Sequence, residues 1–360
     1  MRIRALSTVA AAVITAGLLV VIGPSGAGAA GTAEAQAGFA PPDRPGPALS
    51  VPADELSAAL HCEGPFGDSP LEPVLLNPAT GVTPDQNFSW NYERAFNAQH
   101  RPWCAVTMPF HTLGDITVAG EYLVHAIRAE FAMAGRRIAV MGHSQGGMSM
   151  RWALRFWPDT RAMVDDVIGM AGSNHGTTMV ASLCHPGLTR CTPATWQQGS
   201  DSNFIKALNS YAETFAGISY TEIFTHTDEV VQPNSTDANS SSALHTGAGA
   251  ITNVSTQDIC PLDLDEHLTV GTIDPVAYAL AMDALDHDGP ADPARIGRGV
   301  CLQLVQPGVN PLTLNTYLQL LGAVPGLAGV ATPDFNLVGA PEVAAEPPLP
   351  CYVYAAGCTS

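Results

Sequence analysis

The chain has 360 residues, with 33 acidic and 15 basic side chains and a formal net charge of −18 at pH 7. An acidic surface repels phosphate groups and anionic lipid headgroups, which argues against nucleic acid as a partner, whereas contact with a neutral lipid surface stays open. The length is compatible with one α/β domain or with two smaller domains.

The first thirty residues have the pattern of a secretory signal peptide. Two arginines precede an apolar run over residues 5–22, and small residues with Ala-x-Ala sequences follow up to residue 30. The run is short for a membrane span, so removal of residues 1–30 and secretion to the extracellular medium are expected, with a retained N-terminal anchor as the alternative. Residues 31–52 are rich in Ala, Gly and Pro and predict a flexible leader before a single domain over residues 53–360.

From residue 73 onwards, short apolar runs alternate with apolar residues at helical spacing. The runs predict strands, and the spacing predicts the helices between them. The predicted strands cover residues 73–76, 104–107, 138–141, 167–171, 220–224 and 251–254, and predicted helices cover residues 91–98, 116–134 and 275–285. This alternation predicts an α/β fold with a mostly parallel central sheet and helices on both faces. Loops are predicted at residues 172–198 and, as a mobile surface segment, at residues 232–249, and the C-terminal segment is rich in Pro, Gly, Ala and Leu.

Residues 142–146 read Gly-His-Ser-Gln-Gly and match the pattern G-x-S-x-G. A predicted strand precedes them, and Met148, Trp152 and Phe156 follow at helical spacing beside two arginines, as in an amphipathic helix. Strand, tight glycine-flanked turn and helix form the context in which a nucleophile elbow presents its serine. The pattern alone also arises by chance in a chain of this composition, so the flanking elements carry the prediction that Ser144 is a nucleophile.

A serine nucleophile requires a histidine base and a carboxylate that orients the base, in the chain order Ser, acid, His for α/β hydrolases. Asp228 follows the predicted strand 220–224, on a loop at the carboxyl end where open α/β sheets place their sites. It is therefore the candidate acid. Four other carboxylates compete with it: Glu229, Asp258, Asp263 and Asp265.

Three histidines lie downstream of the acid: His245, His267 and His287. His245 belongs to the polar low-complexity loop, where a fixed geometry is hard to maintain, and His287 ends a predicted helix. His267 follows a predicted strand and Cys260, whose disulfide would hold the loop rigid. His267 is therefore the candidate base, with a surface histidine as the alternative interpretation.

The negatively charged oxygen that forms during attack on a carbonyl needs hydrogen-bond donors placed in advance. One should be the backbone N–H of Gln145, which follows the nucleophile, and the other should come from the loop after an earlier strand. In that loop, residues 77–81, Thr80 offers both a backbone N–H and a hydroxyl. A simple turn at residues 78–81 is the alternative.

Eight cysteines in an exported chain indicate disulfides, although sequence alone does not fix their connectivity. Two pairs are close in sequence, Cys184 with Cys191 and Cys351 with Cys358, which suggests disulfides that close short local loops. The cysteines left for long-range bridges are Cys62, Cys104, Cys260 and Cys301. The chain has no Cys-x-x-Cys or paired histidine spacing, so neither a zinc site, nor another metal, nor a cofactor is expected.

Four segments together resemble the fungal lipase B (CalB-like) family of serine lipases. They are residues 73–81 (PVLLNPATG), 144–147 (SQGG), 196–198 (WQQ) and 227–233 (TDEVVQP), and the resemblance covers residues 62–301. It implies an α/β-hydrolase fold and hydrolysis of carboxylic esters, with acyl transfer to alcohols as a side capability.

Position by position, the resemblance assigns a catalytic set, a pocket and three disulfides. The nucleophile matches Ser144, the acid Asp228, the base His267, and the oxyanion donors Thr80 and Gln145. The substrate pocket is expected at His143, Val230 and Val231. The family's bridges match Cys62 with Cys104, Cys260 with Cys301 and, at the C-terminus, Cys351 with Cys358.

Three positions depart from the family. His143 stands where the family has tryptophan, so preference for the alcohol does not carry over, and Ser173 stands where the family has an acidic residue. The Cys184 and Cys191 pair is extra and falls where the family has a short mobile lid. We therefore expect a stapled lid near residues 173–198 and weak interfacial activation.

The expected function is that of a secreted serine hydrolase that cleaves triacylglycerols or shorter acyl esters. An exported acyltransferase or a polyester depolymerase would use the same triad, and a catalytically silent binding protein on this fold is the alternative from another class. The expected partners are a small-molecule or lipid ester and, transiently, a lipid–water interface. The protein is expected to be a monomer.

Overall fold

The computed structural model describes residues 38–314 and 338–358 and contains one seven-stranded sheet. Its strands in chain order are β1 Leu60–Glu63, β2 Val74–Asn77, β3 Trp103–Val106, β4 Ile138–His143, β5 Val164–Met170, β6 Ser219–Phe224 and β7 Ala250–Ser255. They lie in the order β1-β3-β2-β4-β5-β6-β7. Strand β1 pairs with β3 antiparallel, and every other pair is parallel.

Helices cover both faces of the sheet. In chain order they are α1 Ala53–Ala58, α2 Pro84–Phe88, α3 Tyr92–Gln99, α4 Ile116–Ala134, α5 Gln145–Phe156, α6 Val180–Leu183, α7 Pro193–Gln197, α8 Asn203–Leu208, α9 Thr256–Ile259, α10 His267–Val270 and α11 Pro275–Asp286. Ile138 and Val140 of β4 contribute to the hydrophobic cluster under α4 and α5, whereas Ala139 and Met141 contribute to the cluster under α3 and α11. Both faces are thus buried, as parallel sheets require. The expected α/β-hydrolase fold is confirmed.

The parallel strands bring three loops to the same edge of the sheet. Asn77 ends β2, Ser144 directly follows β4, and the loop that carries Asp228 follows β6. His267 begins α10, after β7 and α9. Residues that are far apart in sequence therefore meet at the carboxyl edge, where α/β folds place their sites.

Helix α5 differs from the amphipathic pattern that the sequence predicts. Arg151 and Arg155, expected beside the apolar stripe as its polar face, are each only 1% exposed. Arg151 donates hydrogen bonds to side-chain oxygens of Asn174 and Asn209 at 3.1 Å and 2.7 Å, and Arg155 donates to the Ser210 hydroxyl at 2.8 Å. Buried guanidinium groups are tolerated because such partners replace water.

The leader also differs from expectation within residues 38–52. Ala40 is 3% exposed and its N–H donates to the Val353 carbonyl at 2.8 Å. The N–H of Val51 donates to the Glu121 carboxylate at 3.0 Å. A composition rich in Ala, Gly and Pro lowers the tendency to form helices and strands, but it does not prevent a segment from packing against a completed domain.

The predicted mobile loop over residues 232–249 is packed into the domain at residues 240–244, whereas residues 235–236, 238–239 and 245–248 are exposed. Ser242, Ala243 and Leu244 are at most 1% exposed. Asn253 of β7 accepts the Leu244 N–H at 2.9 Å and donates to the Leu244 carbonyl at 2.8 Å. Small polar residues here make buried hydrogen bonds, so their abundance does not indicate mobility.

All eight cysteines are paired. The disulfides join Cys62 with Cys104, Cys184 with Cys191, Cys260 with Cys301 and Cys351 with Cys358. The first ties β1 to β3 at the edge of the sheet. The third fixes the start of the loop that leads to His267.

Within the described part of the chain, one segment has the length and apolarity to cross a membrane by composition alone. It is His267–Asp286, with a mean hydropathy of 1.2, and 72% of its most apolar window is buried inside the domain. Packing under the sheet accounts for its apolar character.

Candidate active site

Ser144 lies on the strained turn between β4 and α5. Its backbone has φ 57° and ψ −125°, outside the favoured regions for a residue with a side chain. The turn depends on its glycines: a Cβ atom on Gly146 would lie 2.1 Å from the Asn77 carbonyl oxygen, and one on Gly142 would lie 2.4 Å from Gly146. The serine is therefore held at the sheet edge by close backbone contact with β2.

The structure brings three predicted residues into one chain of hydrogen bonds. The Ser144 hydroxyl lies 2.9 Å from Nε2 of His267, and Nδ1 of His267 lies 3.0 Å from Oδ2 of Asp228. All three are buried, with residue exposures of 4%, 3% and 2%. Because Asp228 accepts from Nδ1–H, Nε2 is left free to accept the proton of the serine hydroxyl.

Asp228 is held by its own loop. Its Oδ1 accepts the backbone N–H groups of Val230 and Val231 at 2.9 Å and 2.8 Å, and its Oδ2 accepts from Nδ2 of Asn234 at 3.2 Å. Asn234 was not among the predicted site residues. Its position six residues after the acid, in a polar segment, carries no local signal that would single it out.

The charges around His267 favour its protonated form. Burial opposes a charged imidazole, but the charge and hydrogen bond of Asp228, together with the charges of Glu229 and Glu266, raise the pKa of His267 above its usual 6.5. Glu229 also accepts the backbone N–H of His267 at 3.3 Å. The imidazolium that forms during proton transfer is thereby stabilised.

Glu229, one of the four competing carboxylates, lies beside His267 and lines the cavity, but the other competing residues lie elsewhere. Asp258 caps helix α9 through a reciprocal pair of hydrogen bonds with Ser255. His245 stacks on His175, with ring centroids 5.9 Å apart, and His287 bonds to the carbonyl of Asp283. Asp263 and Asp265 lie in the loop before His267. Within the described part of the chain, these five residues form no hydrogen bond with Ser144 or with the His267 ring.

Two backbone donors face the serine region. Within the described residues, no acceptor pairs with the N–H of Thr80 or with the N–H of Gln145. The two residues are adjacent in space, because the Thr80 hydroxyl donates to Oε1 of Gln145 at 2.9 Å. Free N–H groups at the start of a helix and on a neighbouring loop can stabilise a developing oxyanion.

The Thr80 hydroxyl is itself engaged. Nε2 of Gln198 donates to the Thr80 hydroxyl and to Oε1 of Gln145, both at 3.1 Å. Gln198 in turn accepts from the hydroxyl of Ser173, the neutral residue noted above as a departure from the family, at 3.0 Å. Sequence reasoning included Gln198 only as part of a motif and gave it no role.

A cavity of about 150 Å³ opens above Ser144. Its walls include all three expected pocket residues, His143, Val230 and Val231. Further apolar side chains come from two loops before helix α4, from the region of the expected lid and from helix α10: Val82, Leu113, Met179, Val180, Leu183 and Leu268. No Lys or Arg belongs to the lining in the described part of the chain, so the cavity suits an uncharged, apolar group.

Comparisons with known proteins agree with this geometry. The model of the family described as lipase (class 2) matches residues 123–260. Lipase B of Pseudozyma antarctica is 32% identical over 312 residues, which cover 85% of this chain and 86% of that protein. This chain belongs to the lipase B family. The crystal structure of Aspergillus fumigatus lipase B is also similar, with a TM-score of 0.75, 32% identity and coverage of 86% of this chain and 74% of that chain.

In this lipase B family member, hydrogen bonds join the loop beside the cavity to the C-terminal segment. Cys191 and Val343 exchange two backbone hydrogen bonds, of 3.1 Å and 2.8 Å, and Trp196 donates to the Val343 carbonyl at 3.0 Å. The Cys184–Cys191 disulfide closes the loop that follows α6. The described C-terminal segment thus lies against the stapled loop next to the cavity.

His143 connects the His267 helix to the oxyanion loop. Its Nε2 lies 2.9 Å from the carbonyl oxygen of His267, and its Nδ1 lies 3.4 Å from Nδ2 of Asn87, whose Oδ1 accepts the Ala79 N–H at 2.9 Å. Burial and the charge of His267 lower the pKa of His143 to about 3, so the ring is neutral. These partners assign the proton to Nε2 and the acceptor role to Nδ1.

We expect His143→Met to lower kcat by about tenfold or more while KM changes little, because the carbonyl of His267 loses its donor and the base shifts relative to the serine. His143→Gln has nearly the same volume and keeps an N–H donor near the Nε2 position, so it should retain most of kcat. Steady-state kinetics on esters of several alcohols distinguishes the two variants. Equal losses in both, or changes confined to alcohol preference, would show that His143 is only a pocket wall.

Proposed function

We propose that this protein hydrolyses carboxylic esters through a Ser144–His267–Asp228 triad. Membership of the lipase B family makes it a carboxylic ester hydrolase. The observation that supports this triad is the continuous hydrogen-bond chain from a serine hydroxyl on a strained turn to a buried carboxylate, at 2.9 Å and 3.0 Å. Nucleophile, base and orienting acid stand in the relation that acyl transfer requires.

In the first half of the proposed reaction, the Ser144 hydroxyl attacks the ester carbonyl while Nε2 of His267 takes its proton. Asp228 keeps the imidazole in the required tautomer and stabilises the imidazolium. The backbone N–H groups of Thr80 and Gln145 donate to the oxyanion. His267 then returns the proton to the leaving alcohol, and the acyl group stays on Ser144 as an ester.

In the second half, water replaces the alcohol. His267 takes a proton from the water, the resulting hydroxyl attacks the acyl-enzyme, and the carboxylic acid leaves as Ser144 recovers its proton. An alcohol that enters in place of water would give acyl transfer through the same steps.

The substrate class follows from the cavity. Its walls are mostly aliphatic, and Glu229 is the one acidic side chain among its described lining residues. An acyl chain gains free energy by leaving water for such a surface, at roughly 25 cal/mol per Å² of buried apolar area. Ser144 and His267 are at most 4% exposed, which favours the ester of a small molecule or lipid over a polymer chain that needs an open, shallow cleft.

We further propose that the protein acts outside the cell as a monomer. Four disulfides among eight cysteines suit an oxidising compartment, and the N-terminal sequence has the signal-peptide pattern. The candidate site is complete within one chain, because nucleophile, acid, base and oxyanion donors all come from it.

A fluorophosphonate tests the proposed nucleophile directly. The mature, oxidised protein should take up one label, and peptide mass spectrometry should place it on Ser144, because only a serine activated by a base attacks phosphorus quickly.

Ser144→Ala should retain the fold and lose kcat by a factor on the order of 10⁵ or more. Asp228→Asn should lower kcat by about 10⁴, because the amide no longer holds the required tautomer.

Circular dichroism and thermal melts of both variants provide the control for folding. Labelling of another serine, or hydrolysis by folded Ser144→Ala near the wild-type rate, would refute the assignment. Absence of label both with and without detergent would favour a binding protein that lacks catalysis.

The pH profile of kcat/KM should have an acidic limb with its inflection above pH 6.5. The base must be neutral to take a proton, and the pKa of His267 is raised, so activity disappears as the pH falls through that value. Glu229→Gln removes one of the charges that raise the pKa and should move the limb to lower pH. The control variant is Glu63→Gln, at the end of β1, where the side chain is 49% exposed. It should leave the acidic limb of the profile in place. An equal shift in both variants would contradict the local electrostatic explanation.

Activity should rise only weakly when the ester concentration passes its solubility limit. The disulfide and the contact of Cys191 with Val343 fix the loop beside the cavity, so an interface has little to open. The double change Cys184→Ser and Cys191→Ser should make the rise steeper, whereas the same change at Cys351 and Cys358 should not. A sharp rise in the wild-type protein would show that this loop is a mobile lid.

A further inference from the structure

Three carboxylates surround one point in the segment that carries His267. Asp263 and Asp265 precede the histidine, and Asp274 follows helix α10 and begins α11. One carboxylate oxygen from each lies within 4.8 Å of the others. This group, the Asp263–Asp265–Asp274 cluster, is outside the triad and has no role in the proposed reaction.

Asp274 is the decisive member of the cluster. It is fully buried, and its Oδ1 caps helix α11 by accepting the Val276 N–H at 2.7 Å. Its Oδ2 has no hydrogen-bond partner among the described residues, and neither has Oδ2 of Asp263. A buried carboxylate oxygen without a donor costs free energy unless another species compensates its charge.

The described protein provides no such compensation. Arg298 lines the cavity of about 510 Å³ beside the cluster, but its guanidinium donates to the Ile259 carbonyl at 3.4 Å. No described basic side chain forms an ion pair with any of the three aspartates.

We propose that the Asp263–Asp265–Asp274 cluster binds a calcium ion. The donor set consists of oxygen atoms only, which suits a hard divalent cation. Calcium binds oxygen at about 2.3–2.6 Å, so two ligands of one ion can lie up to about 5 Å apart, which matches the spread of the cluster. The adjoining cavity has room for the water molecules that complete six to eight ligands.

The ion would connect the two ends of helix α10, beside the loop that leads to Asp228. The backbone carbonyl of Asp265 accepts the hydroxyls of Thr225 and Thr227 at 2.7 Å each, so the loop before His267 is already bonded to the loop that leads to Asp228. An ion that also bridges Asp265 to Asp274 would hold α10 from both of its ends. The cysteine and histidine spacings that mark zinc sites are absent from the sequence, and a site made of carboxylates has no such spacing.

A calcium titration of the mature protein after removal of metals with EGTA tests the site. Isothermal calorimetry should show one ion per chain with a Kd on the order of 10⁻⁴ to 10⁻³ M, as in extracellular calcium sites, and calcium should raise the Tm. Asp274→Asn keeps the helix cap, because asparagine caps as well as aspartate, but should weaken calcium binding at least about tenfold. Asp263→Asn should do the same.

The second acidic cluster supplies the matched control. Glu72, Asp165 and Asp166 also lie within 4.8 Å of one another, but Arg137 pairs with Asp165 at 2.8 Å. Asp166→Asn should leave the calcium affinity unchanged. No binding by the stripped wild-type protein up to about 10 mM calcium, or affinity lost in Asp166→Asn and retained in Asp274→Asn, would overturn the proposal. A higher Tm of Asp274→Asn without any calcium response would also overturn it, because the cluster would then hold a proton. Neither readout depends on catalysis.

Discussion

The hydrogen bond between His267 and the buried carboxylate of Asp228 is the contact on which the candidate site depends. A buried carboxylate is unfavourable unless donors replace the water it has lost. The donors are the N–H groups of Val230 and Val231 and the amide of Asn234, which also bonds to Ser242. These donors reach the Asp228 carboxylate only when the residues after β6 fold back toward it. A segment that composition alone predicts to be mobile is thus required to hold the charge that orients the base.

The regular part of the fold could be predicted because local patterns determine it. Strands β2 to β7 are marked by short apolar runs, and α4 by a long apolar face that ends at Gly135, whose φ is 64°. Strand β1 was missed because its four residues, Leu-His-Cys-Glu, alternate in burial at an edge. The burial of Arg151 and Arg155 was missed for another reason: their partners are 23 or more residues away along the chain, and no local pattern encodes such contacts.

The candidate site also combines features that local sequence determines with features that depend on tertiary contacts. Ser144 could be predicted because a strained turn needs glycines next to it, and this requirement is visible in five consecutive residues. Asp228 and His267 were proposed from chain order, from their places after predicted strands and from the cysteine before His267, and the family resemblance matched the same two positions. The residues that hold them, Asn234 and the pair Asn87 and His143, act through tertiary contacts, and side chains of these types are common in ordinary loops. What matters for these residues is where the fold places them, and their spacing in the sequence does not reveal it.

Asp228 and Asp274 are both buried carboxylates, but they differ in the hydrogen-bond donors that their oxygens receive. Both carboxylates are at most 2% exposed and lie on either side of the His267 helix, but Asp228 has donors for both oxygens whereas Asp274 has a donor for only one. Under the calcium proposal, the ion compensates the Asp274 oxygen that has no donor among the described residues. Calcium is the plausible species for a protein proposed to act outside the cell, because extracellular calcium sites need only modest affinity. The base would then be held from one side by the domain's own amides and from the other by an ion.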